Sequence, residues 1–73
     1  MSPDERAAEL VGRALDIQGK VSPADTMLSL AAWTSLSHVR LVLELESALG
    51  RPLTGDEIAS IDSVAAVARL LGK

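Results

Sequence analysis

The chain has 73 residues, of which ten are acidic and seven basic, so its formal net charge is −3 at pH 7. A chain of this length forms one domain, expected over residues 1–73, with a single small core. It has no cysteine and one histidine, which excludes a disulfide and disfavours a zinc site. The acidic balance also disfavours nucleic acid as a partner, because phosphate binding requires clustered Lys and Arg.

The location of the protein is predicted from what the sequence lacks. No apolar stretch has the length of a membrane span, and the first residues lack the basic head and apolar body of a signal peptide. We therefore expect a cytoplasmic monomer that acts away from membranes.

The first predicted helix begins at a capping box, residues 2–5, with Pro3 at the first helical position. Apolar residues follow at helical spacing and predict a helix to about Gln18, before Gly19. The residues expected to face the core are Ala7, Leu10, Val11, Ala14 and Leu15.

A long connection, residues 19–33, follows this helix. We expect Val21, Leu28 and Leu30 to hold it against the core, so that it is not a free linker. Trp33, the only aromatic residue, ends the connection. We expect Trp33 to anchor the connection by packing, and the alternative is that it shelters a bound group.

The longest apolar-periodic run, residues 36–49, predicts the second helix, which ends before Gly50 and Pro52. Ser35 lies where this helix begins, and a helix N-terminus favours a phosphate because its first N–H groups are unpaired and the macrodipole is positive there. Ser35 is therefore a candidate for a phosphodiester attachment. From position alone, the simpler interpretation is that Thr34 or Ser35 only caps the helix.

The second helix has apolar residues on two sides when its residues are placed at roughly 100° each. The arc expected to face the core contains His38 together with Leu41, Val42, Leu45, Ala48 and Leu49. The opposite stripe contains Leu36, Val39 and Leu43, flanked by Arg40, Glu44, Glu46 and Ser47.

Such a helix is either covered on both sides by its own domain or has one side reserved for a partner. We expect Val39 to be partly covered, and Leu36 and Leu43 to be the more exposed pair.

Two short helices complete the predicted fold. A capping box at residues 54–57 predicts a third helix through about Ser60. Asp62 is predicted to cap the last helix, which ends at Gly72 and buries Val64, Val67, Ala68 and Leu71. The fold class is therefore all-α, with four helices, a long first loop and a short third helix.

The run WTSLSHVRLVLELE at residues 33–46, followed by LGRPL at residues 49–53, resembles the core of the phosphopantetheine-dependent acyl and peptidyl carrier proteins. In that family an Asp-Ser-Leu motif opens the second helix of a four-helix bundle. The order and spacing of the elements agree over nearly the whole chain. The resemblance implies an acyl-carrier-like bundle with 4′-phosphopantetheine, derived from coenzyme A, attached to Ser35. This arm would supply the thiol that the chain lacks.

Two residues depart from the family pattern. Thr34 stands where the family usually has Asp, and Arg40 stands where many fatty-acid carriers have an acid. Thr34 can still cap the helix, but it lacks the carboxylate that would help to engage the modifying transferase. Both changes weaken the negative character of the partner face, which suggests partners other than the standard enzymes of fatty-acid synthesis.

A second copy of the motif, Asp62-Ser63-Val64, is the weaker candidate for attachment. It opens a short helix near the end of the chain, where the family places its last helix.

The resemblance implies a freestanding carrier, not an enzyme, that moves an acyl or aminoacyl thioester between enzymes of fatty-acid, polyketide or nonribosomal peptide biosynthesis. The implied partners are a phosphopantetheinyl transferase, an acyl- or aminoacyl-loading enzyme and a downstream synthase or transferase. The implied partner-facing residues are Thr34, Leu36, Val39, Arg40, Leu43, Glu46 and Ser47. The alternative is an unmodified carrier-like interaction bundle that docks through Leu36, Val39 and Leu43.

Catalytic interpretations have little support in the sequence. Ser35 and His38 are one turn apart, but the hydroxyl and the core-facing imidazole are expected to diverge, and no orienting acid is evident. Glu44 and Glu46 are expected to point apart on a solvated face, which disfavours a carboxylate pair. We expect His38 to line a groove or to pack, and we expect no metal site.

Overall fold

The computed structural model describes residues 2–72, which form four helices and no β-strand. The helices are α1 (Pro3–Ala14), α2 (Ser35–Leu49), α3 (Gly55–Ala59) and α4 (Val64–Leu71). The predicted all-α class, the long first loop and the short third helix are confirmed. Across residues 2–72, none of the helices has the length and apolar content that a bilayer crossing requires.

The core is aliphatic and lies between α1, α2 and α4, with α1 packed against both of the others. All five residues predicted to face the core from α1 are buried, and so are all four predicted from α4. The largest fully buried side chains are Val11, Leu41, Leu45, Val64 and Val67. Because Leu41 and Leu45 are both on α2, these two residues fix which side of that helix faces inward.

Helix α1 ends at Ala14, so the predicted end near Gln18 is wrong. Asp16 adopts a left-handed backbone with φ of 55°, and the Ile17 N–H donates to the Gly12 carbonyl at 2.9 Å. This is the Schellman arrangement that terminates helices. Ile17 is half-buried against the core, so its apolar side chain continues the helical pattern beyond the end of the helix itself.

The long connection is tied to the start of α4 by backbone hydrogen bonds. The Met27 N–H donates to the Asp62 carbonyl and the Val64 N–H donates to the Asp25 carbonyl, each at 3.0 Å. An isolated antiparallel bridge between Thr26 and Ser63 lies within the same contact. The connection is therefore a packed part of the domain.

Two of the three apolar residues predicted to hold this connection do so: Val21 is buried and Leu30 is half-buried against the core. Leu28 is 94% exposed, so that prediction is wrong. The Leu28 N–H donates to the Thr26 hydroxyl at 3.2 Å in a tight local turn. The turn presents the Leu28 side chain to solvent.

The cap of α4 is Ser63, and the prediction of Asp62 is wrong. The Ser63 hydroxyl accepts a hydrogen bond from the Ala66 N–H at 3.1 Å. The backbone contact of Asp62 with the long connection sets the chain direction, and the helix begins one residue later than expected.

The turn between α2 and α3 is held by polar contacts. Gly50 ends α2 with a left-handed φ of 70°. Arg51 then binds Glu57 through two guanidinium–carboxylate hydrogen bonds of 2.9 Å, and Glu57 also completes the predicted capping box with Thr54. The hydrogen bond from Arg51, followed by that from the Thr54 N–H, lowers the pKa of Glu57 from its ordinary 4.5 to about 2.

This lowered pKa predicts an acid-sensitive contribution to stability. Because the pKa of Glu57 is lower in the folded state than in the unfolded state, its contribution is complete above about pH 4.5 and is lost as the pH falls toward 2. Glu57→Gln should therefore destabilise the protein at pH 7, since glutamine keeps the cap but not the ion pair. In urea melts, the difference from wild type should shrink between pH 4.5 and pH 2. Asp56→Asn, in the same helix, leaves the pair intact and is the control. A difference for Glu57→Gln that does not change with pH would contradict the prediction.

Candidate functional site

Ser35 is the first residue of α2, and its neighbour Thr34 performs the capping. The Thr34 backbone is extended, and its hydroxyl accepts a hydrogen bond from the Ser37 N–H at 3.2 Å. The Ser35 side chain is exposed, and among residues 2–72 its hydroxyl has no hydrogen-bond partner. Of the two capping candidates, Thr34 is therefore the cap, and the Ser35 hydroxyl is left available for reaction.

Ser63 provides an internal comparison with Ser35. Its hydroxyl caps α4, its side chain is half-buried, and its backbone bridges to Thr26. The Ser63 hydroxyl is therefore engaged in the fold and only partly accessible, whereas the Ser35 hydroxyl is exposed and makes no hydrogen bond within residues 2–72.

Ser35 borders an open cleft of about 630 Å³, which we call the Ser35 cleft. One side is formed by the end of the long connection and the first turn of α2, and the other by α3 and the residues that precede α4. The lining residues are Met27, Trp33, Thr34, Ser35, His38, Ile58, Ala59, Ile61 and Asp62.

Trp33 and His38 are joined by a hydrogen bond within this cleft. The indole Nε1–H of Trp33 donates to His38 Nδ1 at 3.1 Å, with ring centroids 6.4 Å apart. Trp33 is only 7% exposed and belongs to the core, which confirms that it anchors the connection by packing. His38 is half-buried and lines the cleft, as expected. The hydrogen bond itself was not predicted, and its only signal in the sequence is the spacing of five residues across the start of α2.

The predicted stripe on the outer side of α2 is exposed. Leu36 is 66%, Val39 55% and Leu43 60% exposed. The expectation that Val39 would be partly covered is therefore met only weakly, since it is the least exposed of the three but still more than half accessible. Arg40 and Ser47, which flank the stripe, are also exposed.

The two acids near this stripe are engaged within the fold. The Glu46 carboxylate accepts a hydrogen bond from the Leu53 N–H at 2.9 Å, and Glu44 pairs with Arg13 at 3.3 Å. Both glutamates are half-buried, and their different partners keep the carboxylates apart, as expected. Of the predicted partner-facing residues, Glu46 and Thr34 therefore have polar groups that are already hydrogen-bonded within the domain.

The inner side of α2 follows the predicted arc with one exception. Leu41 and Leu45 are fully buried, while Val42 and Leu49 are half-buried against the core. Ala48 is exposed, so its prediction as a core residue is wrong. Ala48 lies at the edge of the inner arc, on the side of Glu44, which pairs with Arg13 at the surface.

The polar groups around Ser35 do not form a nucleophile–base pair. His38 Nδ1 accepts from Trp33, so this ring nitrogen is not available to take a proton from Ser35. Within residues 2–72, no group of three or more His, Cys, Asp or Glu side chains is placed to hold a metal ion.

Comparison of the chain with family models, curated proteins and solved structures finds no match. The functional assignment therefore depends on the geometry around Ser35 and on the exposed side of α2.

The two sides of α2 predict different mutational effects on stability. Leu45→Ala removes a fully buried side chain and should cost about 2–5 kcal/mol of unfolding free energy. Leu43→Ala, on the exposed stripe, should change it by no more than roughly 0.5 kcal/mol. Denaturant melts of the two variants make a matched comparison, because the residue type and the helix are the same. Equal destabilisation would show that the stripe is part of the core.

Proposed function

We propose that this chain is a carrier protein that holds an acyl or aminoacyl group as a thioester on a 4′-phosphopantetheine arm attached to Ser35. The observation that carries the proposal is the placement of the Ser35 hydroxyl. It is exposed at the first position of a 15-residue helix, Thr34 performs the capping, and the hydroxyl borders an open cleft. The sequence around Ser35 resembles the attachment site of that family.

The residues around Ser35 fit a phosphodiester-linked arm. A primary hydroxyl that makes no hydrogen bond within residues 2–72 can form the ester bond without loss of a structural contact. The first turn of α2 favours the negative charge of a phosphodiester through the helix dipole. When bound, the arm would supply the terminal thiol on which a thioester forms, and the chain has no cysteine that could do so.

The partner enzymes are proposed to dock on the exposed stripe of α2. A phosphopantetheinyl transferase, an acyl- or aminoacyl-loading enzyme and a downstream synthase or transferase must all reach Ser35. Leu36, Val39 and Leu43 offer apolar contact beside it, with Arg40 and Ser47 at the margin. We place Glu46 outside this contact, because its carboxylate binds the Leu53 N–H. A cytoplasmic location is part of the same proposal.

The exposed stripe also supports a second function of a different class, an unmodified interaction bundle. Three large apolar side chains more than half exposed on one helix face are a docking surface whether or not Ser35 is modified. The two functions differ in whether the chain accepts an arm from coenzyme A.

Modification of Ser35 is tested by intact-mass measurement after incubation with coenzyme A and a broad-specificity phosphopantetheinyl transferase. The wild type should gain one phosphopantetheine mass, and Ser35→Ala should gain none. Ser63→Ala is the matched control and should still be modified. If the wild type gains no mass, the interaction bundle is the better description; if Ser63→Ala alone prevents the gain, the attachment site is Ser63.

Thr34 is predicted to limit recognition by transferases that normally meet Asp at this position. Thr34→Asp keeps a residue that caps well, so helicity by circular dichroism should not change. The rate of arm attachment by a fatty-acid-type transferase should rise, because the new carboxylate lies beside Ser35. An equal or lower rate at the same helicity would show that this carboxylate does not matter here.

A further inference from the structure

The hydrogen bond between Trp33 and His38 fixes the protonation of the imidazole. An indole nitrogen can only donate, so His38 Nδ1, which lies 3.1 Å from Trp33 Nε1, must act as the acceptor and carries no proton. A neutral imidazole then has its proton on Nε2. Trp33 therefore selects the tautomer in which Nε2 is a hydrogen-bond donor.

The residue that carries this second donor, His38, lines the Ser35 cleft. His38 is half-buried and lines the cleft, and among residues 2–72 its Nε2 has no hydrogen-bond partner. His38 follows Ser35 by three positions, so the two side chains are neighbours on the surface of α2. Both residues line the Ser35 cleft, and the bond to Trp33 holds the His38 ring in one orientation within it.

We infer that His38 is a positioning residue for the phosphodiester on Ser35, to which its Nε2–H donates a hydrogen bond. This inference rests on the proposed function. A phosphodiester carries one negative charge, and a hydrogen bond from an imidazole to such an oxygen is charge-assisted. The bond would hold the first atoms of the arm at the rim of the cleft, with Trp33 holding His38 from behind.

Few charged groups line the cleft with His38, so the effect of a new negative charge on its protonation can be measured. Asp62, just before α4, is the one charged residue that lines the Ser35 cleft with His38 in the described part of the chain. The cleft residues on α3 are Ile58 and Ala59, which are not titratable. Arg40 lies about 160° around α2 from His38, at roughly 100° per residue. A phosphodiester on Ser35 would therefore be a second negative charge beside the imidazole.

Protonation of His38 can be observed through Trp33. The chain has one tryptophan and one histidine, so the fluorescence has a single source and a single imidazole near it. A protonated imidazole has no acceptor, so it must give up the bond from the indole, and an imidazolium next to an indole quenches its emission. The fluorescence of Trp33 should therefore report whether the His38 ring is protonated.

The test compares the pH midpoint of this fluorescence change in the unmodified and the modified protein. A direct bond to the phosphodiester should raise the midpoint by about one pH unit, since a nearby negative charge favours the protonated ring. An exposed charge pair at this helical spacing without a hydrogen bond would raise it by no more than about 0.4 unit. His38→Gln keeps an acceptor for Trp33 and should abolish the transition in both forms. The ³¹P resonance of the arm should titrate with the same midpoint in the wild type and should not titrate in His38→Gln.

Two variants separate the effect of the charge from that of the rest of the arm. Ser35→Glu places a carboxylate at about the distance of a serine-linked phosphate, and Ser35→Gln has the same shape without the charge. The midpoint in Ser35→Glu should exceed that in Ser35→Gln by more than about 0.4 unit.

Each outcome decides the role of His38. A modified protein whose midpoint rises by less than about 0.4 unit would overturn the positioning role and leave the carrier function intact. A rise in the modified protein with equal midpoints in the Glu and Gln variants would assign the effect to the rest of the arm and would also overturn the role. A wild type that gains no phosphopantetheine mass would overturn the carrier function and this inference together.

Discussion

The burial of Trp33 fixes the point at which the long connection becomes α2. Its indole ring is the largest apolar group in the chain, and it packs into the core one residue before the helix cap. Thr34 then caps the helix, and Ser35 occupies the first helical position. The exposure of Ser35 therefore follows from the burial of Trp33. Because Trp33 packs in the core and Thr34 caps the helix, the Ser35 side chain lies at the surface.

Helix α2 has one side that packs in the core and another side that is apolar and exposed. The acidic residues near the exposed side are bound within the fold. Leu41 and Leu45 hold the helix to α1 and α4, whereas the stripe contributes little to the fold. Glu44 and Glu46, the acids of the second half of the helix, are bound to Arg13 and to the Leu53 N–H. Among residues 2–72, the charged neighbour of the exposed stripe that makes neither an ion pair nor a side-chain hydrogen bond is Arg40, so a partner with apolar contacts and an acidic margin would complement it.

The periodicity of the sequence predicted the four helices and most of the core, because buried aliphatic side chains recur at the helical period. The periodicity gave wrong predictions where the burial of a side chain does not follow from the helical backbone. Ile17 packs on the core after the helix has ended, and Leu28 is apolar but held outward by a turn. Ala48 lies at the edge of the inner arc and is exposed.

Individual side-chain hydrogen bonds have no periodic signal in the sequence, and this limited how much of the candidate site could be predicted. The position of Ser35 at a helix start and the second apolar side of α2 were both evident from the sequence, whereas the exposure of that side is shown by the structure. The division of roles between Thr34 and Ser35, the engagement of Glu46 and the hydrogen bond between Trp33 and His38 depend on side-chain directions. The selection of Ser63 over Asp62 as a cap likewise depends on the docking of the long connection.

The two sides of the Ser35 cleft differ in how firmly they are packed, because one of them is formed by the short helix α3. Helix α3 has five residues and none that is fully buried. Ile58 packs in part against the core, and the polar contacts of α3 include the capping box and the ion pair of Glu57 with Arg51. Such a segment opens locally at a much lower free energy than the unfolding of the core. Because Trp33 is a buried core residue, we expect the wall that contains Ile58 and Ala59 to open more readily than the wall that contains Trp33. We expect the amide hydrogens of α3 to exchange with solvent faster than those of α1 and α4, and the capacity of the cleft to exceed its volume at rest.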